Sequence, residues 1–450
     1  MATTPTDNRG TWNTKFGFIL AAAGSAVGLG NIWRFPTEAA SNGGAAFLFI
    51  YIICVVLIGL PVMIAELSIG RSTQKNPVGA FKALSSNKFF PLVGFWGVLC
   101  GVMILSFYTV IAGWTFSHVF VEIFTFTGLD SAASLLADFE NGYVNAAFAI
   151  LFMGLTIMII RGGVSEGIER ATKLMMPLLV IILVVMAAYV MFQPGATEGL
   201  EVYLKPDFSL ITGELVLAAM GQAFFSLSLG MGALITYGSY LSKKENIVEA
   251  ASYVTFADVG IAFLAGLFIM PTIFLAQAQG VEIYNEAGEF LAGPALIFQI
   301  LPELFVQMGG LVGLTLGVSF FLLLSLAALT STISLLEVPT SYIIDEHGVR
   351  RKKAALSVGL FVLVISLVIS FNTALIDSID FIFSVIGLPL GGFLICIFIG
   401  YFWKTQSAID EIKQGFKNVR DSWFTALWSI FIKFICPIII IIILAQTLSN

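Results

Sequence analysis

The sequence predicts an all-α integral membrane protein: eleven transmembrane helices, ten in a 5+5 inverted repeat with broken helices 1 and 6, plus one peripheral helix. Three observations predict it. The 450 residues are 58% hydrophobic and 11% charged, with a mean hydropathy of +0.96, whereas a soluble domain carries about 25% charged residues. Apolar runs near or above the roughly 20 residues a bilayer requires recur along the whole chain. Two of them are interrupted, at Gly24–Asn31 (GSAVGLGN) and again at Phe224–Gly232 (FFSLSLGMG). Lipid cannot satisfy the peptide groups such breaks release, so they survive only where they face protein or line a solute cavity. Paired interruptions in matching halves point to a midplane binding site.

Eleven spans follow in order at roughly 13–40, 44–71, 89–125, 143–160, 168–192, 213–241, 247–279, 309–343, 354–371, 378–403 and 423–446. Orientation is read from Lys and Arg. Arg9 and Lys15 precede span 1. Arg71, Lys75, Lys82 and Lys88 join spans 2 and 3, and Arg161, Arg170 and Lys173 join spans 4 and 5. Lys243 and Lys244 follow span 6, Arg350–Lys353 follow span 8, and Lys404, Lys413, Lys417 and Arg420 follow span 10. The opposite loops hold acids such as Asp130, Asp138, Glu282, Glu286 and Glu289, with Lys205 the one exception. The expectation is a multi-pass protein of the inner (plasma) membrane, N-terminus cytoplasmic and C-terminus extracytoplasmic. Residues 1–14 are polar and lack the apolar core of a cleavable signal, so no processing is expected.

Five spans per repeat is an odd number, so the second set must sit inverted. The predicted division is 1–192 for the first repeat, 193–212 for an extracellular connection, 213–403 for the second repeat, and 404–450 for a cytoplasmic loop and span 11.

Composition excludes other classes. Net charge is −6 and no basic stripe exists, which excludes nucleic acid. The four cysteines sit in apolar runs without paired spacing and read as small buried side chains. His118 and His347 lie near opposite faces, and no nucleophile elbow, phosphate loop or Cys/His metal spacing occurs, so the chain is not an enzyme.

The first break offers free carbonyls to a cation and free amides to an anion, with the neutral oxygen of Asn31 beside them. The second places Ser226 and Ser228 next to an apolar wall of Phe225 and Met231. Asp258 is a carboxylate inside span 7, which marks a functional site by default. The Thr330-Ser331-Thr332 hydroxyls of span 8 suit either a cation or cross-helix hydrogen bonds. Arg34 and Asp380 carry opposite signs near one face; Arg9 and Asp345 do so near the other. Glu66 is expected to satisfy unwound backbone; Glu337 is a buried acid without an assigned role. Gly167 and Pro177 suit either an inner end of span 5 that can unwind or an ordinary proline kink.

Gly24 through Pro36, the Phe225 break, Thr330-Ser331 and Asp380 together resemble the neurotransmitter:sodium symporter family, closest to its bacterial amino-acid branch of the LeuT type, in an 11-span variant. The resemblance covers spans 1 to 10 in order. It implies a sodium-coupled symporter that imports L-amino acids by alternating access. A first sodium site would use Ala26, Asn31, Ser226 and Asp258, and a second Gly24, Val27, Ala327, Thr330 and Ser331. Substrate would contact Ala26, Gly28, Leu29, Gly30, Ile104, Tyr108, Phe225, Ser226, Ser228, Met231, Ser331 and Leu335. Arg34, Asp380 and Gln222 resemble an outer gate; Arg9, Trp12, Tyr240 and Asp345 resemble an inner latch. Family members commonly carry Asn where Asp258 stands, so Asp258 is expected to supply the negative charge that chloride provides elsewhere. The glycines flanking Met231 suggest room for hydrophobic and aromatic side chains, tryptophan, tyrosine and leucine among them. The expected partners are the amino acid, two sodium ions and lipid, with a monomer or loose oligomer as the assembly.

Overall fold

The structure is a computed structural model that describes residues 10–449 except 279, 282, 284–292, 295 and 416–421. Arg9, Glu282, Glu286, Glu289, Lys417 and Arg420 therefore lie outside the described residues. Among the described residues every regular element is helical.

Nine helices among the described residues are long and apolar enough to cross a membrane, or ten if the bent pair Lys15–Ala26 and Gly30–Ser41 counts as one. They are Ala45–Thr73 (span 2), Phe90–Phe126 (3), Gly142–Arg161 (4), Val164–Met191 (5), Ile247–Ala278 (7), Gly310–His347 (8), Arg351–Ser370 (9), Leu375–Phe402 (10) and Trp423–Ser449 (11). The region expected to hold span 6 is two shorter helices, Gly213–Ser226 and Ala233–Gly238. Spans 3 and 7 are each 67% buried over their apolar windows, against 33% for span 11. The first two are therefore central posts and the last a peripheral one.

The first break has a local cause. Helix Lys15–Ala26 ends where Val27 turns extended (ψ 111°), and Asn31 Oδ1 accepts from the Gly28 amide at 3.0 Å. The side chain thus substitutes for a helical carbonyl. The chain resumes as a wide π-wound turn, Gly30–Arg34, at 55° to the first half. In the second break Ser228, Gly230 and Gly232 all take positive φ (53°, 84° and 77°). Gly230 is obligatory: a Cβ there would lie 2.0 Å from the Leu388 carbonyl oxygen of span 10.

Two side chains hold the breaks together. Ser228 Oγ donates to the Ser25 carbonyl at 2.9 Å, joining one break to the other. Glu66 Oε1, from span 2, accepts from the Gly230 amide at 2.7 Å. Glu66 satisfies unwound backbone, as its sequence position implies. At the start of span 5, Gly167 belongs to a wound π segment, Val164–Glu169, that continues into the helix containing Pro177. That end is helical in this conformation. A Cβ on Gly167 would meet the Ile159 carbonyl oxygen at 2.1 Å, so this glycine lets spans 4 and 5 touch.

Candidate functional site

Four side chains from four helices meet beside the first break. Asn31 Nδ2 lies 2.7 Å from Asp258 Oδ1 and 2.9 Å from Ser226 Oγ. Ser226 Oγ donates to Asp258 Oδ1 at 2.8 Å, and the Tyr51 hydroxyl donates to Asp258 Oδ2 at 3.0 Å. Asp258 is fully buried, and these donors offset the cost of holding a carboxyl group away from water. Three of the four were legible as candidates; Tyr51 was not. The carboxylate and the two hydroxyls are hard oxygens of the kind an alkali cation takes, while Asn31 turns its amide nitrogen to them and its oxygen to the Gly28 amide.

A second oxygen cluster lies between the break and span 8. The Thr330 hydroxyl reaches the Ala327 carbonyl at 2.9 Å and the Val27 carbonyl at 3.3 Å. Gly24 backs onto it: a Cβ on Gly24 would lie 3.3 Å from the Thr330 Cβ and 3.4 Å from Met176 Sδ. Ser331 faces Gly28, whose missing Cβ would stand 2.4 Å from Ser331 Oγ.

Between the clusters is a small cavity. Ala26, Gly28, Gly30, Ile104, Tyr108, Phe225, Ser226, Ser228, Met231, Ser331 and Leu335 line it, as expected, joined by Ser25, Ser334 and Leu388. Leu29 does not line the cavity, although its amide donates to the Tyr108 hydroxyl at 3.1 Å. Ser25 Oγ is buried without a hydrogen-bond partner, a hydroxyl left over for a ligand. The lining combines the hydroxyl-bearing Ser25, Tyr108, Ser226, Ser228, Ser331 and Ser334 with the apolar Ile104, Phe225, Met231, Leu335 and Leu388.

A larger cavity of about 500 Å³ shares Gly30, Tyr108 and Phe225 with it and reaches Arg34, Trp114 and Asp380. Phe225 is the partition. Arg34 sits 4.7 Å from the centre of its ring. The expected Arg34–Asp380 ion pair is not formed: Arg34 pairs instead with Glu38, one turn along its own helix, at 3.8 Å. The cavity separates Arg34 from Asp380, whereas Glu38 is already tethered nearby. Gln222 Nε2 donates to the Gly30 carbonyl at 2.8 Å and anchors the same corner.

The opposite end is tied shut. Trp12 Nε1 donates to the Tyr237 carbonyl at 3.1 Å, and its ring packs edge-on to Tyr240. The Tyr240 hydroxyl donates to Glu337 Oε1 at 2.5 Å, and Arg351 grips both oxygens of Glu337 at 2.7 and 2.8 Å. This buried triad gives Glu337 the role its sequence position left open. Asp345 accepts from the Asn76 amide and side chain at 2.8 and 3.0 Å. Nearby, Arg71 is fully buried, its Nε 2.7 Å from Glu411 Oε1. Arg351 and Arg71 read in the sequence only as loop charges, because their partners lie far along the chain.

Known proteins resemble this chain over nearly its whole length. Residues 9–129 and 135–450 match the sodium:neurotransmitter symporter family. The chain is 33% identical to an uncharacterized sodium-dependent transporter, YhdH, of Bacillus subtilis, over 96% of each chain. It is 27% identical to the human sodium- and chloride-dependent creatine transporter 1, over 95% of this chain and 76% of that one. Among solved structures, MhsT in complex with L-phenylalanine superposes with a TM-score of 0.84 at 40% identity, covering 98% of this chain and all of that one.

Proposed function

The chain belongs to the sodium:neurotransmitter symporter family, a family of membrane transporters rather than enzymes, and on that premise we propose that it imports hydrophobic and aromatic L-amino acids. Two sodium ions accompany each substrate, and chloride is not required. The observation that carries this reading is the cavity between the breaks, whose lining combines hydroxyls suited to an amino acid's charged groups with apolar side chains suited to its side chain. The phenylalanine bound by MhsT supports the substrate class.

In this reading the first sodium site comprises the Ala26 carbonyl, Asn31, Ser226 and Asp258, with Tyr51 supporting the carboxylate. The second comprises Gly24, Val27, Ala327, Thr330 and Ser331. The substrate carboxylate meets the Gly30 amide and Tyr108, whose hydroxyl the Leu29 amide holds in place, and its ammonium meets carbonyls at Ala26, Phe225, Ser226 and Ser228. Asp258 supplies the negative charge beside sodium, which makes chloride dispensable. The membrane orientation follows the loop charges: N-terminus inside, C-terminus outside after eleven spans in two inverted sets of five. The Arg34 end faces outward and the Trp12 end inward. Alternation closes Arg34 towards Asp380 over Phe225 and releases the Tyr240–Glu337–Arg351 triad.

The driving force is adequate. One charge crossing 100 mV gives about 2.3 kcal/mol, and a tenfold sodium gradient adds about 1.4 kcal/mol per ion. Two ions supply roughly 7 kcal/mol, on the order of a 10⁵-fold accumulation of a zwitterion.

The test is reconstitution into liposomes and uptake of labelled amino acids with and without a sodium gradient. Uptake of phenylalanine, tyrosine, tryptophan and leucine is expected, absent when choline replaces sodium and unchanged when gluconate replaces chloride. Uptake indifferent to sodium, or displaced only by glycine and alanine, overturns the reading.

A further inference from the structure

One buried acid has no part in the site above. Glu122, near the end of Phe90–Phe126, is 5% exposed, and its Oε1 is buried with no hydrogen-bond partner. The carboxyl group packs against Gly317 of span 8, where a Cβ would come within 2.3 Å of Oε2 and 2.5 Å of Cδ. Glycine at 317 is therefore what makes room for it. His118, one turn earlier on the same helix, is engaged elsewhere. Its Nδ1 lies 2.8 Å from the Trp114 carbonyl oxygen, and its ring packs on Phe139 and Phe298.

The carboxyl group borders a cavity of about 90 Å³ shared with Thr125, Phe126, Phe305, Gly309 and Gly313. Among the described residues no Lys or Arg lines it. An isolated carboxylate in apolar surroundings is costly, and buried charges are paired or neutralised. We propose that Glu122 anchors a binding site for a small monovalent cation, an alkali ion or a primary ammonium, at the joint of span 3, helix Leu296–Met308 and span 8. One acid in the lining fixes the charge at one. The cavity has room for a small ion with a water or for a methylammonium. The Thr125 hydroxyl and the Phe126 and Phe305 rings supply the further contacts a cation takes.

The position gives the site a consequence. Helix Leu296–Met308 carries Phe305 at the cavity and, at its other end, Phe298, which stacks edge-on against Trp33 and Trp114 of the large cavity. A cation held by Glu122 fastens this helix to span 3 and steadies the cover of the large cavity.

Hydrogen–deuterium exchange of the full chain in lipid nanodiscs tests this directly. Potassium, rubidium and methylammonium are each added to a choline medium without sodium, for wild type and Glu122→Gln. Exchange over residues 296–317 should slow on the order of tenfold in wild type and not in the variant. Protection by potassium and rubidium identifies an alkali site, and protection by methylammonium an ammonium site. Equal protection in both proteins, no effect of any cation, or protection by acid alone overturns the proposal. Should Glu122→Gln fail to fold, Glu122→Asp withdraws the carboxylate by one methylene. A weaker cation response is then expected, and an unchanged one overturns the proposal.

Discussion

In the proposed mechanism, Asp258 is the residue on which ion coupling turns. It is fully buried and accepts from Asn31, Ser226 and Tyr51. Asp258→Asn keeps the shape and removes the charge. The sodium concentration for half-maximal uptake should rise tenfold or more, as hydrogen bonds to charged groups are worth about 1.5–3 kcal/mol. Uptake should also become slower in gluconate than in chloride, a difference absent from wild type. Tyr51→Phe deletes one donor to the same carboxylate, so a rise of roughly tenfold in the same sodium titration is expected, with substrate preference unchanged. Asn31, Ser226 and Asp258 were legible in the sequence because polar groups inside apolar runs are costly and stand out. Tyr51 was not, because within FLFIYIIC it reads as one more aromatic. Charge signs along a chain show which partners are possible, not which is engaged in one conformation: Arg34 pairs here with Glu38, and its closure towards Asp380 belongs to the proposed cycle.

At the scale of elements, the broken helices set the tolerance to change. Gly230→Ala would strain a left-handed position and drive a methyl into the Leu388 carbonyl of span 10. We expect a loss of about 3 kcal/mol or more, read as a lowered melting temperature or failure to purify as a single species. Gly221→Ala, where nothing lies within 4 Å, should change stability by less than about 0.5 kcal/mol. Span limits were largely legible, since charged loops bound each apolar run: 247–279 was expected for span 7 and Ile247–Ala278 is found. The π-wound turns at Val55–Gly59, Phe381–Ile386, Phe398–Phe402 and Phe431–Ile435 were not. One extra residue per turn leaves no mark in composition, because packing against neighbours selects it.

For the whole molecule, the two ends differ in a way that neither end's sequence declares. Arg34 and Asp380 stand apart across a 500 Å³ cavity, while Tyr240, Glu337 and Arg351 are locked together at the other end. Removing one partner of a buried ion pair leaves an uncompensated charge and costs about 3–5 kcal/mol. Arg351→Ala should therefore favour the state open at the Trp12 end. Preloaded liposomes should release substrate several-fold faster, with a lower accumulation ratio; unchanged efflux would show that the triad does not control opening.

Peptide planes meet without side chains between them at several places. A Cβ on Gly70 would lie 2.0 Å from the Ile235 carbonyl, and one on Gly391 would lie 2.1 Å from the Gly230 carbonyl. Side chains are the bearings on which packed rods slip, and here there are none. We predict that span 2, helix Ala233–Gly238 with the break before it, and span 10 travel as a single piece, so spin labels placed across those seams should keep a constant separation through the entire transport cycle.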